Sequence, residues 1–264
     1  MKRPLVRSLV RTLPVALAML ALPALAMAQT GPLNVNVGED LLSSQRLFQV
    51  IALVTVLSVA PSLLLMVTSF TRLIIVFGFL RSAMGLQSSP PNAVLVGLSL
   101  FLTSFIMAPT FKLAWENGVS PYMNQQINEE QAFQRTTQPF SRFMIANVRE
   151  SDLALFVSFL PEDDKQAIIL PAPNIKPENV YVPLQALIPA FMISELRRAF
   201  EIGFLIFLPF LVIDLAVASI LMSMGMMMLP PVTVSLPFKI IFFVLVDGWN
   251  LLTGSLIQSF QPPI

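Results

Sequence analysis

The chain has 264 residues, of which 55% are hydrophobic and only 12% are charged, about half the charged fraction of a soluble domain. Uncharged apolar runs long enough to cross a bilayer indicate an integral membrane protein. The sequence contains neither cysteine nor histidine, which excludes disulfides, thiolate metal sites and histidine-based catalysis. No catalytic motif is present, so we expect no enzyme activity, no cofactor and no bound metal.

The first 28 residues have the pattern of a secretory signal peptide. A basic start precedes a short apolar stretch that ends in an Ala-Met-Ala triplet, which predicts cleavage after Ala28. A first membrane helix is the alternative, but two prolines and the short apolar core disfavour it. The leader holds four of the chain's 16 Lys and Arg residues, against 15 Asp and Glu. The mature chain is therefore net acidic, which does not suggest a nucleic-acid partner.

A polar exported linker, 29–45, leads into a first predicted helical hairpin over 46–111. Residues 47–71 carry no charge and are numerous enough for one membrane helix. Glycine and a proline pair then predict a turn at 85–91. The second helix of this hairpin is expected over 92–107.

A change in composition marks a small water-facing domain, 112–182. It contains many charges, with more anions than cations, and apolar residues recur at helical spacing through 131–160. We therefore expect a small helical domain between the two membrane segments.

A second kinked hairpin is predicted over 183–264. Its apolar sequence is interrupted by a charged cluster at 194–201 and by Asp214, and a methionine-rich tip follows at 221–231. A last helix is expected over 237–257. The predicted fold is thus all-α, with two long kinked helical hairpins joined by the exported domain.

Orientation follows from the signal peptide and the basic residues. Cleavage places the new N-terminus outside, and the positive-inside rule places the tips near Arg72, Arg81 and Lys239 in the cytoplasm. The acidic domain is then exported to the periplasm.

The two predicted tips share a pattern of Met-Gly, four residues and Pro-Pro, beginning at Met84 and at Met224. An ancient duplication, as in some transporters, would explain it. Turn chemistry alone would also explain it, because glycine then proline ends one helix and begins the next. We favour turn chemistry slightly.

Two carboxylates, Asp214 and Asp247, fall within apolar runs, where a lone charge is costly. Asp214 has two interpretations, a proton-relay group or an inter-helix or inter-subunit partner of a cation. We favour pairing, because no histidine extends a relay. The cations considered as its partners are Arg72, Arg81, Arg197 and Lys239.

The cluster at 194–201 allows two ion pairs on one helix, Glu195 with Arg198 and Arg197 with Glu201. Any charge left unpaired is a candidate for a contact with another subunit, and a solvated face at the membrane boundary is the alternative.

The tip itself holds Met222, Met224, Met226, Met227 and Met228. On its own the segment favours a turn that fills space in a bundle. The alternative is a soft constriction, because methionine is flexible and polarisable.

Motifs in order span nearly the whole chain from Arg46 onward. In the first half they are Ser-Phe-Thr-Arg-Leu-Ile-Ile-Val at 69–76, Leu-Arg at 80–81 and Ser-Pro-Pro-Asn at 89–92. In the second half they include Ile-Asp-Leu at 213–215, Met-Gly-Met-Met-Met at 224–228 and Val-Asp-Gly-Trp at 246–249. Together they resemble the FliP family, the R-type subunit of type III secretion export gates, and only the leader, the linker and parts of the exported domain match weakly.

The resemblance implies a homo-oligomeric ring of five such subunits with partner subunits of the Q and R flagellar types. The ring would pass unfolded flagellar proteins out of the cytoplasm, as part of a multi-pass inner-membrane complex at the flagellar basal body. An injectisome export-gate homologue is the nearest alternative, and a small-solute or proton transporter acting through Asp214 is a more distant one.

The resemblance also assigns roles to individual residues. Met226, Met227 and Met228 match a methionine gasket that closes the channel until substrate passes. Phe143 and Phe156 match aromatic positions at a subunit contact in the exported domain. Glu195 matches a contact position toward the R-type partner and neighbouring subunits.

Overall fold

The computed structural model describes residues 65–166, 168–170, 180–226 and 228–260, together with positions 51, 54, 55, 58 and 62. The predicted signal peptide, the linker and Met227 lie outside the described residues. The chain divides into two units, Met1–Ser58 and Val59–Ile264. The described positions of the first unit are helical, and every element named below belongs to the second.

The second unit is built from helices. Within the described ranges, the only β contact is a single antiparallel bridge between Ile169 and Tyr181, so the all-helical prediction is confirmed for this part of the chain. In chain order the helices are α1 (Phe70–Ala83), α2 (Asn92–Ala114), a π-helix (Trp115–Val119), α3 (Ser120–Met123), α4 (Glu129–Asn147), α5 (Glu150–Ser158), α6 (Glu162–Gln166), α7 (Leu184–Ser223), α8 (Pro231–Leu245) and α9 (Gly248–Gln258).

Helices α1 and α7 end in the same way. Each is followed by a glycine in the left-handed region, Gly85 at φ 77° and Gly225 at φ 75°, where other residues are strained. The glycine amide and the next amide, of Leu86 or Met226, donate to carbonyls of the last helical turn at 3.0 to 3.2 Å. This is the Schellman ending, so the shared sequence pattern corresponds to the same turn chemistry at both sites.

Helix α2 bends where the sequence predicted its end. The segments Asn92–Ile106 and Ala108–Met123 meet at 60°, and Pro109 lies inside the helix just after the bend. Proline removes one backbone hydrogen bond and displaces the preceding turn. The chain nevertheless continues as helix through the π-helix and α3.

The single helix predicted over 237–257 is wrong in its start and in its continuity. Helix α8 begins at Pro231, because proline suits the first helical position. Asp247 then adopts φ 51°, which interrupts the helix, and α9 leaves at 62° to α8.

Helix α7, with 40 residues, is long and apolar enough to cross a membrane. The pair α8 and α9, and the two segments on either side of the bend in α2, reach that length only if each bent pair is counted as one span. For the described residues, the length and apolar character of these helices are consistent with the membrane protein predicted from composition.

The core forms where α1 lies along α7, the most extensive helix contact in the described chain. Leu73 and Phe77 of α1 pack with Leu187 and Phe191 of α7, and Phe143 of α4 joins them. The rings of Phe143 and Phe191 meet edge to face at 5.9 Å between centroids. Helix α4 is thus attached to the same core as the apolar helices α1 and α7.

We predict that Gly118→Ala destabilises the protein. A Cβ at Gly118 would clash with the Thr136 side chain and lie 2.8 Å from the Thr136 backbone nitrogen, so the π-helix and α4 would have to separate. Overpacking of this kind costs about 1–3 kcal/mol. Thermal unfolding of the detergent-purified protein should show a lower Tm.

The matched control is Gly97→Ala in α2, where a Cβ meets no atom within 4 Å. Since alanine favours helix over glycine, this variant should keep or raise the Tm. Equal Tm values for the two variants would contradict the close contact at Gly118.

Candidate functional site

The first feature of the site is the buried guanidinium of Arg72 on α1. Its Nε donates to Glu195 Oε2 at 2.8 Å and its Nη2 to Glu195 Oε1 at 2.5 Å. Nη1 donates to the backbone oxygen and the Oγ of Ser259 at 3.1 and 2.8 Å, and the guanidinium carbon lies 3.7 Å from the centre of the Phe260 ring. One side chain thus joins α1, α7 and the residues that follow α9.

This geometry corrects one expectation for the charged cluster. Glu195 forms its ion pair with Arg72 rather than with Arg198. The second expected pair does form, with Arg197 Nε 3.4 Å from Glu201 Oε1. Arg149, at the start of α5, also reaches Glu201 at 3.0 Å, so this carboxylate serves two arginines.

The second feature is the ammonium group of Lys239 on α8, which is buried. It lies 2.7 Å from Asp214 Oδ2 on α7 and donates to the Ala83 carbonyl at 3.2 Å. Ser235 Oγ donates to the other carboxylate oxygen of Asp214 at 2.5 Å. A cation at the C-terminus of a helix is favourable, so Lys239 joins the end of α1 to both α7 and α8.

The other two charged residues singled out from the sequence, Arg81 and Asp247, lie outside the clusters around Arg72 and Lys239. Arg81 Nη1 donates to Asn92 Oδ1 at 2.5 Å and lies 3.5 Å from the Pro90 carbonyl, so it spans the turn between α1 and α2. Asp247 is exposed at the bend between α8 and α9 and accepts a hydrogen bond from Asn250 at 3.0 Å. Within the described ranges, no group of three or more acidic, histidine or cysteine side chains is placed to hold a metal ion.

The third feature is the methionine-rich tip between α7 and α8. Met226 is 40% exposed and Met228 is 99% exposed, while Met227 lies outside the described residues. A turn that filled space in this chain's own bundle would bury such side chains. The tip instead leaves Met226 and Met228 exposed. A gasket role stays a prediction.

The two aromatic residues assigned to a subunit contact differ in burial. Phe143 is 1% exposed and stacks on Phe260 with 6.1 Å between ring centroids. Phe156 is partly buried against the same cluster. Phe143 would therefore influence a neighbouring subunit only through the residues that cover it, whereas Phe156 keeps some surface for contact. Their interface role stays a prediction, as does that of Glu195.

Several residues that contact the buried charges were not predicted from the sequence. Ser259 and Phe260 follow the last helix, and nothing in their local pattern indicates contact with Arg72. Ser235 carried a usable signal, because it lies four residues before Lys239 and so shares its helix face. A hydroxyl and an ammonium on one face of an apolar helix indicate a buried acceptor between helices.

The model of the FliP family matches residues 53–256. The chain belongs to the FliP family. A flagellar biosynthetic protein FliP of Caulobacter vibrioides is 52% identical over 246 residues, covering 93% of this chain and 88% of the relative.

Two further FliP family relatives extend the match over almost the full length. The flagellar biosynthetic protein FliP of Agrobacterium fabrum is 52% identical over 254 residues, covering 96% of this chain and all of the relative. That of Aquifex aeolicus is 44% identical over 248 residues, covering 93% of this chain and 99% of the relative. The FliP family resemblance found in the motifs is thereby confirmed.

We predict that Arg72→Met lowers the free energy of unfolding by about 3–5 kcal/mol, because it leaves the Glu195 carboxylate buried without its partner. The double variant Arg72→Met/Glu195→Leu removes both charges and should recover most of the loss. Thermal unfolding in detergent provides the comparison.

Lys112→Met is the matched control, since its pair with Glu116 spans 3.8 Å between largely exposed side chains and such pairs contribute little. A double variant no more stable than Arg72→Met would show that the unpaired Glu195 carboxylate is not what destabilises the single variant.

Proposed function

We propose that this protein is a channel-forming and gating subunit of the flagellar type III protein export gate, which passes unfolded flagellar proteins out of the cytoplasm. The observation that carries the gating role is the exposed methionine-rich tip on a fixed base. The relatives described above are named flagellar biosynthetic proteins, which favours the flagellar gate over an injectisome homologue.

The tip combines a base that is fixed by an ion pair with side chains that can adapt their shape. Lys239 and Asp214 hold α7 and α8 together below it, and the left-handed Gly225 ends α7. Methionine side chains adapt to surfaces of different shape, and a narrow apolar constriction blocks ions by dewetting. A ring of such tips would therefore block ions at rest and yield to a polypeptide.

Several large apolar side chains of α7 are exposed in a single copy. Phe204, Leu205 and Val212 of α7 are each more than 60% exposed. We infer that neighbouring copies and partners of the Q and R flagellar types cover this surface in a ring of five. Close packing of bent helices suits such an assembly.

The proposed architecture has two kinked hairpins, 46–111 and 183–264, with cytoplasmic tips and the helical domain 112–182 in the periplasm. The protein would reach the inner membrane as a multi-pass component of the flagellar basal body after removal of the signal peptide 1–28. We propose a structural and gating role without catalysis.

We predict that replacing Met226, Met227 and Met228 with alanine makes cells that hold the assembled complex leaky to small ions. Shorter side chains would leave a wider, more easily wetted constriction. The measurement is ion flux across the membrane together with the amount of complex recovered by purification.

Met123→Ala serves as the control, because Met123 is an exposed methionine in α3, outside the tip. It should leave ion flux unchanged. An intact complex with unchanged flux in the triple variant would rule out the gasket.

A proton or solute transporter acting through Asp214 is the second candidate, and the 27% exposure of its side chain is the observation that favours it. We predict instead that Asp214→Asn impairs assembly, because it leaves the buried Lys239 cation unpaired. The double variant Asp214→Asn/Lys239→Met removes both charges and should restore assembly and export.

The two candidates differ in the double variant, which keeps the packing but contains no titratable group at this joint. Export is measured across a range of proton-motive force. A complex that assembles fully yet exports poorly only at low proton-motive force would favour the transporter.

A further inference from the structure

Methionine supplies all the sulfur in this chain, and exposure divides its methionines into two groups. The sequence has no cysteine and 14 methionines, five of them in the methionine-rich tip. The four described tip methionines are between 40% and 99% exposed: Met222, Met224, Met226 and Met228. Three others are at most 4% exposed: Met84, Met107 and Met144. A dissolved oxidant has to touch a thioether to oxidise it, so it reaches the tip and not the three buried sulfurs.

Oxidation at the tip leaves the packing of the helices intact. The three buried methionines belong to the two hydrophobic clusters of the described chain, and the described tip methionines belong to neither. The end of α7 is fixed by the left-handed Gly225 and by the bond from the Met226 amide to the Leu221 carbonyl at 3.0 Å. Neither feature involves a sulfur atom. The tip can therefore accept polar side chains without loss of the helix ending.

The chemical step is the transfer of one oxygen atom from hydrogen peroxide to a thioether. The sulfur lone pair attacks one peroxide oxygen, so an S–O bond forms while the O–O bond breaks. The sulfur gives up two electrons, which reduce the peroxide. The departing hydroxide takes the proton of the transferred oxygen and leaves as water. The product is methionine sulfoxide, whose side chain is polar where the thioether was apolar.

We propose that the methionine-rich tip is an oxidative modification site, at which peroxide converts the exposed methionines to sulfoxides and makes the closed channel conduct ions. A narrow apolar constriction excludes ions by dewetting, and sulfoxide oxygens accept hydrogen bonds from water and so wet it. This inference rests on the proposed gating role. It adds that the closure is sensitive to oxidants and that methionine sulfoxide reductase restores it.

The modification is measured on the assembled complex, purified with its co-encoded partners and treated with a limiting amount of hydrogen peroxide. Mass spectrometry of its peptides gives the rate of sulfoxide formation at each methionine. The tip methionines should react about tenfold faster than the buried Met107 and Met144, or more. Met123, which is 68% exposed in α3, gives the rate of an exposed methionine outside the tip. Tip methionines that react no faster than Met107 would overturn the proposal.

The consequence is measured as ion flux across membrane vesicles that contain the complex, before and after the same peroxide treatment. Flux should rise about threefold or more and should fall back after treatment with methionine sulfoxide reductase and a thiol reductant. Replacement of all five tip methionines with leucine, which is apolar and has no sulfur, should abolish the rise relative to that variant's own untreated vesicles. Met123→Leu is the matched control and should keep the rise.

The alanine variant of Met226, Met227 and Met228 separates this inference from the gating role. If the alanine variant leaks and the wild-type complex with sulfoxides at the tip does not, the modification proposal is wrong and the gating role stands. If neither leaks, both are wrong. An equal rise of flux in the leucine variant, or a rise that the reductase does not reverse, would also overturn the modification proposal.

Discussion

A cation buried among apolar helices has to be neutralised inside the protein, and this constraint fixes how the described helices meet. Arg72 is satisfied by Glu195 of α7 and by Ser259 beyond α9. Lys239 of α8 is satisfied by Asp214 of α7 and by the carbonyl that ends α1. Each cation therefore joins α1 and α7 to the last pair of helices. Loss of either carboxylate would leave a buried cation without its counter-ion.

The two joints lie at different levels of α7 and divide its roles. Glu195 is near the attachment of α4 and α5, where Phe143 and Phe191 complete the core. Asp214 is nearer the tip, below the left-handed Gly225. A fixed base beneath conformable methionine side chains is what a closure needs if it is to return to the same place after a chain has passed. This division connects the buried charges to the gate we propose.

The helical fold and the membrane class could be predicted from the sequence, because apolar runs and turn residues determine local structure. The endings at Gly85 and Gly225 followed from glycine chemistry, and the FliP family motifs were sufficient for recognition. The break at Asp247 was missed because its left-handed backbone depends on how α8 and α9 pack. The Arg72–Glu195 pair was missed because its members are 123 residues apart, and helix spacing favoured the nearer Arg198. Long-range pairing of this kind is decided by tertiary packing, which local patterns do not encode.

We propose that the methionine-rich turn faces the bore of a multi-subunit channel. The most direct test is the structure of the assembled complex, purified with its co-encoded partners. We expect the 224–231 turns of all copies to converge on a central bore and narrow it. A complex in which these turns point into lipid, away from any bore, would contradict it.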